Sequence, residues 1–262
     1  MDETRPPIVF ALDFPTVEDA RRAAREVAPE VGMLKVGLEL FVHAGPSVLD
    51  IGRDAGLPVF LDLKLHDIPE TVERAVAQAS ALGARVVTVH ASGGRQMLRR
   101  AVARAAREGG TLDVCAVTIL TSLDESDLDD VGITVTRRLR PFRLDGDQPT
   151  APPPRTSLAA ESLARLAYSE GVRWFVCSPA EVGALRAALG PDAVLVTPGV
   201  RPAAADAGVD DQKRVATPEQ AIADGADWLV VGRPIRDASD RLGAARAIGA
   251  SARAARAAKK PS

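Results

Sequence analysis

The chain has 262 residues, 46% of them hydrophobic, and a formal net charge of −2. That length suits one α/β barrel, and the near-neutral balance gives no positive field for a nucleic-acid backbone or an anionic membrane surface, so the expected partner is a small molecule. No apolar run nears the roughly 20 residues of a membrane span, and the opening MDETRPP lacks the basic-then-apolar order of a secretory signal, which predicts a cytoplasmic protein.

Along the chain, short apolar runs alternate with Ala/Arg-rich stretches of helical period, the pattern of repeated βα units. In order, strands are expected at 8–13, 33–38, 59–64, 85–90, 113–118, 174–178, 194–197 and 228–232. Between them lie helical patterns such as 17–27, 71–82, 94–107, 158–169, 179–189 and 218–223. The strands mostly lack period-2 alternation, as strands buried on both faces do. No GxGxxG follows the first strand, so a closed (β/α)₈ TIM barrel in a single domain is preferred to an open doubly wound sheet. The Pro-rich stretch 137–155 reads as a passive loop insertion, and the chain from about Ser251 as a fraying helical tail.

Basic residues are unevenly chosen: 28 of the 33 are Arg, leaving Lys35, Lys64, Lys213, Lys259 and Lys260. Where Arg supplies most of the charge, a lysine inside an apolar run points to a use for its compact, titratable ammonium. Lys35 and Lys64 both lie in expected strands.

Barrel enzymes assemble their sites at the carboxyl ends of the strands. There the first run ends at Asp13, the second carries Lys35, the third carries Asp62 and Lys64 followed by Asp67, and the eighth ends at Gly232 and Arg233. Such charges are costly at buried strand ends unless they pair or bind something. Asp62 and Lys64 are two apart, which on an extended strand turns both into the barrel mouth. An ammonium between carboxylates is a poor Schiff-base nucleophile and a well-placed proton donor for a carbanion. If one carboxylate also faces a substrate carboxylate, loss of CO₂ relieves repulsion while the ammonium stabilises the charge left on carbon.

A second cluster, TPGVR from Thr197 to Arg201, then Gln212 and VVGRP with Gly232 and Arg233, has the make-up of a phosphate site. Glycine lets backbone N–H groups approach an anion, Arg supplies a bidentate fork, and barrels often hold phosphate after strands seven and eight. Cys115 and Cys177 lie in apolar runs without metal-ligand spacing and read as buried hydrophobes. His43, His66 and His90 lack HxH or HxxxH spacing, so no metal is expected.

ALDF, LKVGLELF, FLDLKLHDIPET, VTVHASGG, AVTILTS, VTPGVRP and VVGRP, in this order from Ile8 to about Ile248, resemble the orotidine 5′-phosphate decarboxylase family. The resemblance implies decarboxylation of orotidine 5′-phosphate to UMP in de novo pyrimidine synthesis, with neither metal nor organic cofactor. It also implies roles: Lys64 protonates C6, Asp62 faces the substrate carboxylate, Lys35 links the charges to the ribose, and Asp13 binds ribose hydroxyls. Thr121 contacts the pyrimidine, and Arg201, Gln212, Gly232 and Arg233 contact the phosphate. Asp67 and Thr71 reach the partner's site in a homodimer with shared active sites. A related sugar-phosphate branch, with 3-keto-gulonate 6-phosphate decarboxylase and hexulose phosphate synthase, shares the DxKxxD stretch. It needs an acidic Mg²⁺ ligand near the second strand end, where Lys35 would repel the ion. A silent UMP-binding barrel is a further alternative, against which the intact Asp62, Lys64 and Asp67 speak.

Overall fold

The computed structural model describes residues 5–134, 153–202 and 216–259. Eight parallel strands close into a barrel in sequence order: β1 (Ile8–Ala11), β2 (Met33–Gly37), β3 (Val59–Leu65), β4 (Val86–His90), β5 (Asp113–Val117), β6 (Trp174–Val176), β7 (Val194–Thr197) and β8 (Trp228–Val231). The helices are α1 (Val17–Val27), α2 (Leu38–Ala44), α3 (Asp50–Ala55), α4 (Pro69–Ala81), α5 (Gly94–Arg107), α6 (Glu125–Asp130), α7 (Arg155–Ser169), α8 (Val182–Leu189), α9 (Pro218–Asp224), α10 (Arg233–Arg236) and α11 (Arg241–Lys259). The expected TIM barrel is therefore present.

Closure sorts the strand residues by parity. Val9, Met33, Phe60, Val86, Cys115, Trp174, Val196 and Trp228 turn inward and pack as one apolar cluster, the floor of the barrel. Residues of the opposite parity, such as Ile8, Phe10, Leu34, Leu61 and Val87, pack in the larger cluster with the helices. Each fully buried aliphatic or Phe side chain contributes about 1.5–3 kcal/mol by leaving water. Two residues above the floor, the inward positions become Ala11, Lys35, Asp62 and Thr88, so strand parity alone lifts the polar groups to the carboxyl end of the barrel.

Helix starts follow local chemistry. The Thr16 hydroxyl caps α1 by accepting from the Asp19 N–H, Thr217 caps α9 through Gln220 N–H, and α4 and α9 begin at proline, which lacks the N–H a helix start would leave unpaired. Two expectations are corrected at the helical ends. From Ser251 to Lys259 the chain is the docked end of α11 rather than a frayed tail, because Ala252 is fully buried and Lys259 Nζ reaches the Ile222 carbonyl. Arg155, assigned to the insertion, opens α7 and forms a two-armed ion pair with Asp129; residues 137–152 of that insertion lie outside the described residues.

Candidate active site

A cavity of about 810 Å³ opens at the carboxyl ends of the strands, within the size range of small-ligand sites. Its charged side is built by β1, β2 and β3. The Lys35 ammonium donates to Asp13 Oδ1 at 3.1 Å and lies 3.7 Å from Asp62 Oδ2, while Lys64 Nζ is 2.9 Å from both Asp62 oxygens. Carboxylate and ammonium thus alternate in the order Asp13, Lys35, Asp62, Lys64. The inner pair is the drier one, with Lys35 and Asp62 side chains 13% exposed against 31% for Lys64.

Burial and charge act in opposite directions here. Burial alone would lower the Lys35 ammonium, yet the charges of Asp62 and Asp13 outweigh it and hold Lys35 above the ordinary lysine range. Burial alone would raise the Asp62 carboxyl, but Lys35 and Lys64, with a hydrogen bond from Thr88, hold it below the ordinary carboxylate range. The inner pair is therefore ionised across the neutral region.

The approach of Lys64 to Asp62 has a different origin from the extended-strand geometry expected. Lys64 has φ +51°, the sole left-handed non-glycine backbone among the described residues. The β3–β4 register is broken between Leu61 and Leu65, so an irregularity in β3 turns the lysine over its neighbour's carboxylate. A non-glycine residue in this region costs about 1–3 kcal/mol and persists only where surroundings enforce it. The enforcing contact is the Lys64 N–H donating to Thr88 Oγ1 at 2.8 Å, while the Thr88 hydroxyl donates to Asp62 Oδ1 at 3.0 Å.

The opposite side of the cavity is formed by the turns after β7 and β8, with Pro198, Gly199, Arg201, Gly232 and Arg233 in its wall. Gly199 has φ +79°, the conformation that the second central residue of a Pro-Gly type II turn requires. The turn is closed by Arg201 N–H donating to the Ala216 carbonyl and Ala216 N–H to that of Gly199, at 3.0 and 3.2 Å. These bonds brace the Arg201 backbone, and the Arg233 carbonyl accepts from the Asp237 N–H at 3.0 Å in the first turn of α10; the two guanidinium groups in the cavity wall suit a phosphate dianion. Between the charged side and these turns, Val117, Ile119, Leu120 and Val176 give the cavity an apolar wall, beside which Thr121 offers a hydroxyl.

A family model described as "Orotidine 5'-phosphate decarboxylase / HUMPS family" matches residues 6–248. The chain belongs to this decarboxylase family. A protein named orotidine 5′-phosphate decarboxylase from Anaeromyxobacter sp. (strain K) is 53% identical over 243 residues, 93% of this chain and 96% of that relative. One of the same name from Thermobifida fusca (strain YX) is 48% identical over 245 residues, covering 93% and 94%. The crystal structure of orotidine 5′-phosphate decarboxylase from Lactobacillus acidophilus superposes with a TM-score of 0.76 at 33% identity, over 94% of this chain and 99% of that one.

Of the residues that resemblance to the decarboxylase family singled out, Asp13, Lys35, Asp62, Lys64, Thr121, Arg201, Gly232 and Arg233 all line this one cavity. Gln212 lies outside the described residues. Asp67 and Thr71 are exposed and do not line it: Asp67 Oδ1 accepts from the Ile68 N–H at 2.6 Å, and Thr71 sits in the first turn of α4. The lysine flanked by two carboxylates in this chain is therefore Lys35 rather than Lys64, because Asp67 is exposed and does not line the cavity.

Several residues escaped the sequence reading. Thr88 left only one mark, as the lone hydroxyl in the apolar run VVTVH at the parity of the inward positions. Arg236 also lines the cavity, in a short helix just past the end of β8; Glu39, the acidic residue that the sequence places beyond the second strand end, lines it as well from α2. His90 is half-buried with its ring 5.3 Å from that of His66, and burial followed by the charges of His66 and Lys64 lowers its pKa. Cys115 and Cys177 are fully buried with thiols pushed up by burial, as inert core cysteines are.

Proposed function

We propose that the chain catalyses decarboxylation of orotidine 5′-phosphate to UMP in pyrimidine biosynthesis, by direct loss of CO₂ and protonation of C6 by Lys64. The observation that carries this reading is the alternating row Asp13, Lys35, Asp62, Lys64 on one wall of a cavity whose far wall presents Arg201 and Arg233. Membership of the decarboxylase family and the names of relatives about half identical support the substrate.

The chemistry follows from charge. With the phosphate against Arg201, Arg233, Gly232 and Gln212, and ribose hydroxyls at Asp13 and Lys35, the pyrimidine carboxylate is directed toward Asp62 and Lys64. The C6–carboxylate bond breaks with its electron pair left on C6, CO₂ departs, and a Lys64 Nζ proton moves to C6. Fixed ammonium groups close to the nascent carbanion need no reorganisation as the charge develops, so electrostatic stabilisation is the leading contribution. Phosphate contacts made far from C6 supply binding energy that holds the pyrimidine against the charged row, so their loss lowers turnover as well as affinity. Thr121 contacts the pyrimidine beside the apolar wall.

We assign Asp67 and Thr71 to the partner's site in a homodimer. The support is their exposure, together with exposed Leu38, Val42 and Ile68 around the ends of β2 and β3, an apolar surface of the kind subunit contacts cover. A cytoplasmic location fits this pathway, and among the described residues no helix is long and apolar enough to cross a membrane. The sugar-phosphate reading is disfavoured by the Lys35 ammonium between Asp13 and Asp62, which neutralises the carboxylates a divalent cation would need.

The test is to treat the purified protein with EDTA, add orotidine 5′-phosphate, and follow the ultraviolet change as orotate becomes uracil. Rapid conversion is expected. A folded protein that binds UMP and converts nothing would overturn the assignment.

A further inference from the structure

Past the last β1–β8 pair, Phe10 with Val231, the main-chain carbonyl of Asp13 has no neighbouring strand to supply a donor. Arg236 supplies one: its guanidinium NH1 donates to the Asp13 carbonyl at 3.1 Å. The rest of the fork is held by Asp237, with Nε at 2.6 Å and NH2 at 2.9 Å from the two carboxylate oxygens. The Arg236 N–H in turn donates to the Gly232 carbonyl at 2.8 Å, so both ends of the residue are fixed. Arg236 therefore spans from the turn after β8, which carries Arg233, to the end of β1, which carries the carboxylate bound by Lys35.

We propose that Arg236 is a positioning residue for the reaction: it sets Asp13, and through Asp13 the Lys35 ammonium, in register with the phosphate-binding turn. The inference rests on the decarboxylase reading above. Asp13 lies just beyond the ladder, where a side chain's aim is set by what holds its own backbone. A guanidinium clamped by Asp237 is a rigid brace, since its planar fork keeps both contacts at once and leaves few rotamers. A Cβ at Gly37 would stand 3.1 Å from Lys35 Nζ, a tight approach, whereas Cβ atoms at Gly37 and Gly232 would meet Asp13 only at the ordinary contact distances of 3.5 and 3.6 Å. Gly37 thus leaves room for the Lys35 ammonium, and the aim of Asp13 is left to the arginine.

Arg236 also lines the cavity, so a plain contribution of positive charge at the phosphate has to be separated from positioning. The experiment is a double-mutant cycle on orotidine 5′-phosphate turnover with Arg236→Met, Asp13→Asn and the pair, alongside Asp237→Asn, which keeps the guanidinium and removes its clamp. Loss of a hydrogen bond from a charged donor predicts a fall in kcat of about ten-fold for Arg236→Met with little change in melting temperature. Asp237→Asn should show a smaller fall of the same kind. Because Arg236 acts through Asp13, adding Arg236→Met to Asp13→Asn should cost little more.

A rise in KM with unchanged kcat, or effects that multiply in full in the pair, would overturn the proposal in favour of phosphate attraction alone. A fall in melting temperature with unchanged kcat per folded molecule would reduce Arg236 to a structural role. If Arg236→Met does not fold, Asp237→Asn and Arg236→Lys carry the cycle with the same readouts. A parent without turnover would overturn the decarboxylase reading itself, whereas an active parent with unaffected variants overturns only the inference.

Discussion

The main-chain N–H of Lys64 donates to the Thr88 hydroxyl, whose own proton is given to Asp62, so a single buried threonine holds both the Lys64 backbone and the Asp62 carboxylate beside its ammonium. Replacement by valine keeps the volume and removes both contacts. Thr88→Val should lower kcat about ten-fold and stability by about 1–3 kcal/mol, the cost of stranding buried polar partners. Thr88→Ser should recover most of both. Thermal unfolding and steady-state kinetics on the two variants check this, and a valine variant with parental kcat would deny Thr88 its place.

Lys64 is both the proposed proton donor and a point of backbone strain. Both Lys64→Ala and Lys64→Gly should lose turnover by at least about 10²- to 10⁴-fold, the usual contribution of a positioned proton donor. They should differ in stability, because glycine adopts φ +51° freely while alanine does not. Lys64→Gly is expected to be the more stable by about 1 kcal/mol in denaturant unfolding. Equal stabilities would mean the left-handed geometry relaxes once the side chain is gone.

The inner ion pair contributes to both ends of the pH–stability profile. The folded Asp62 carboxyl lies below its unfolded value near 3.8, so its contribution is complete above that value and is lost as pH falls through the lower folded one. The folded Lys35 ammonium lies above its unfolded value of 10.5, so its contribution is complete below that value and is lost as pH rises through the higher folded one. Denaturation midpoints against pH should therefore hold through the neutral region, with Asp62→Asn flattening the acid limb and Lys35→Met the alkaline one. Limbs parallel to the parent's in both variants would contradict the assignment.

The proposed sharing of sites makes a prediction that a site built from one chain does not. Lys64→Ala and Asp67→Asn should each be nearly inactive alone. Mixed and allowed to exchange subunits, they should regain about a quarter of parental activity, because half the dimers are mixed and each mixed dimer has one intact site. Absence of recovery from mixtures shown to exchange would place Asp67 outside its partner's site.

The barrel was legible because its strands are apolar runs of the right length, each followed by a helical pattern, and the site because Asp13, Lys35, Asp62 and Lys64 are charges within those runs or at their carboxyl ends. Asp13, Lys35, Asp62 and the arginines of the two turns followed from that rule and from the family motifs. Thr88 did not, since a threonine in a buried strand is equally well satisfied by a backbone carbonyl, as Thr118 is by Val176. Arg236 was hidden for a different reason: in GRPIR its spacing from Gly232 describes only a helical turn, and its contact with Asp13 joins residues 223 positions apart. The left-handed backbone at Lys64 has no sequence mark, because nothing in LDLKLHD distinguishes a bulged strand from a regular one. The continuation of α11 past Ser251 depends on Ala252 meeting a core whose other face comes from distant parts of the chain.

The irregular pairing of β3 has a bearing on how the charged row is built. Leu61 pairs with Val87 and Leu65 with Val89, so β3 takes four steps where its neighbour takes two, and pairing is normal on either side. The two surplus residues place the Lys64 ammonium over the Asp62 carboxylate, so this end of the charged row rests on a local irregularity of one strand and not on the closure of the barrel.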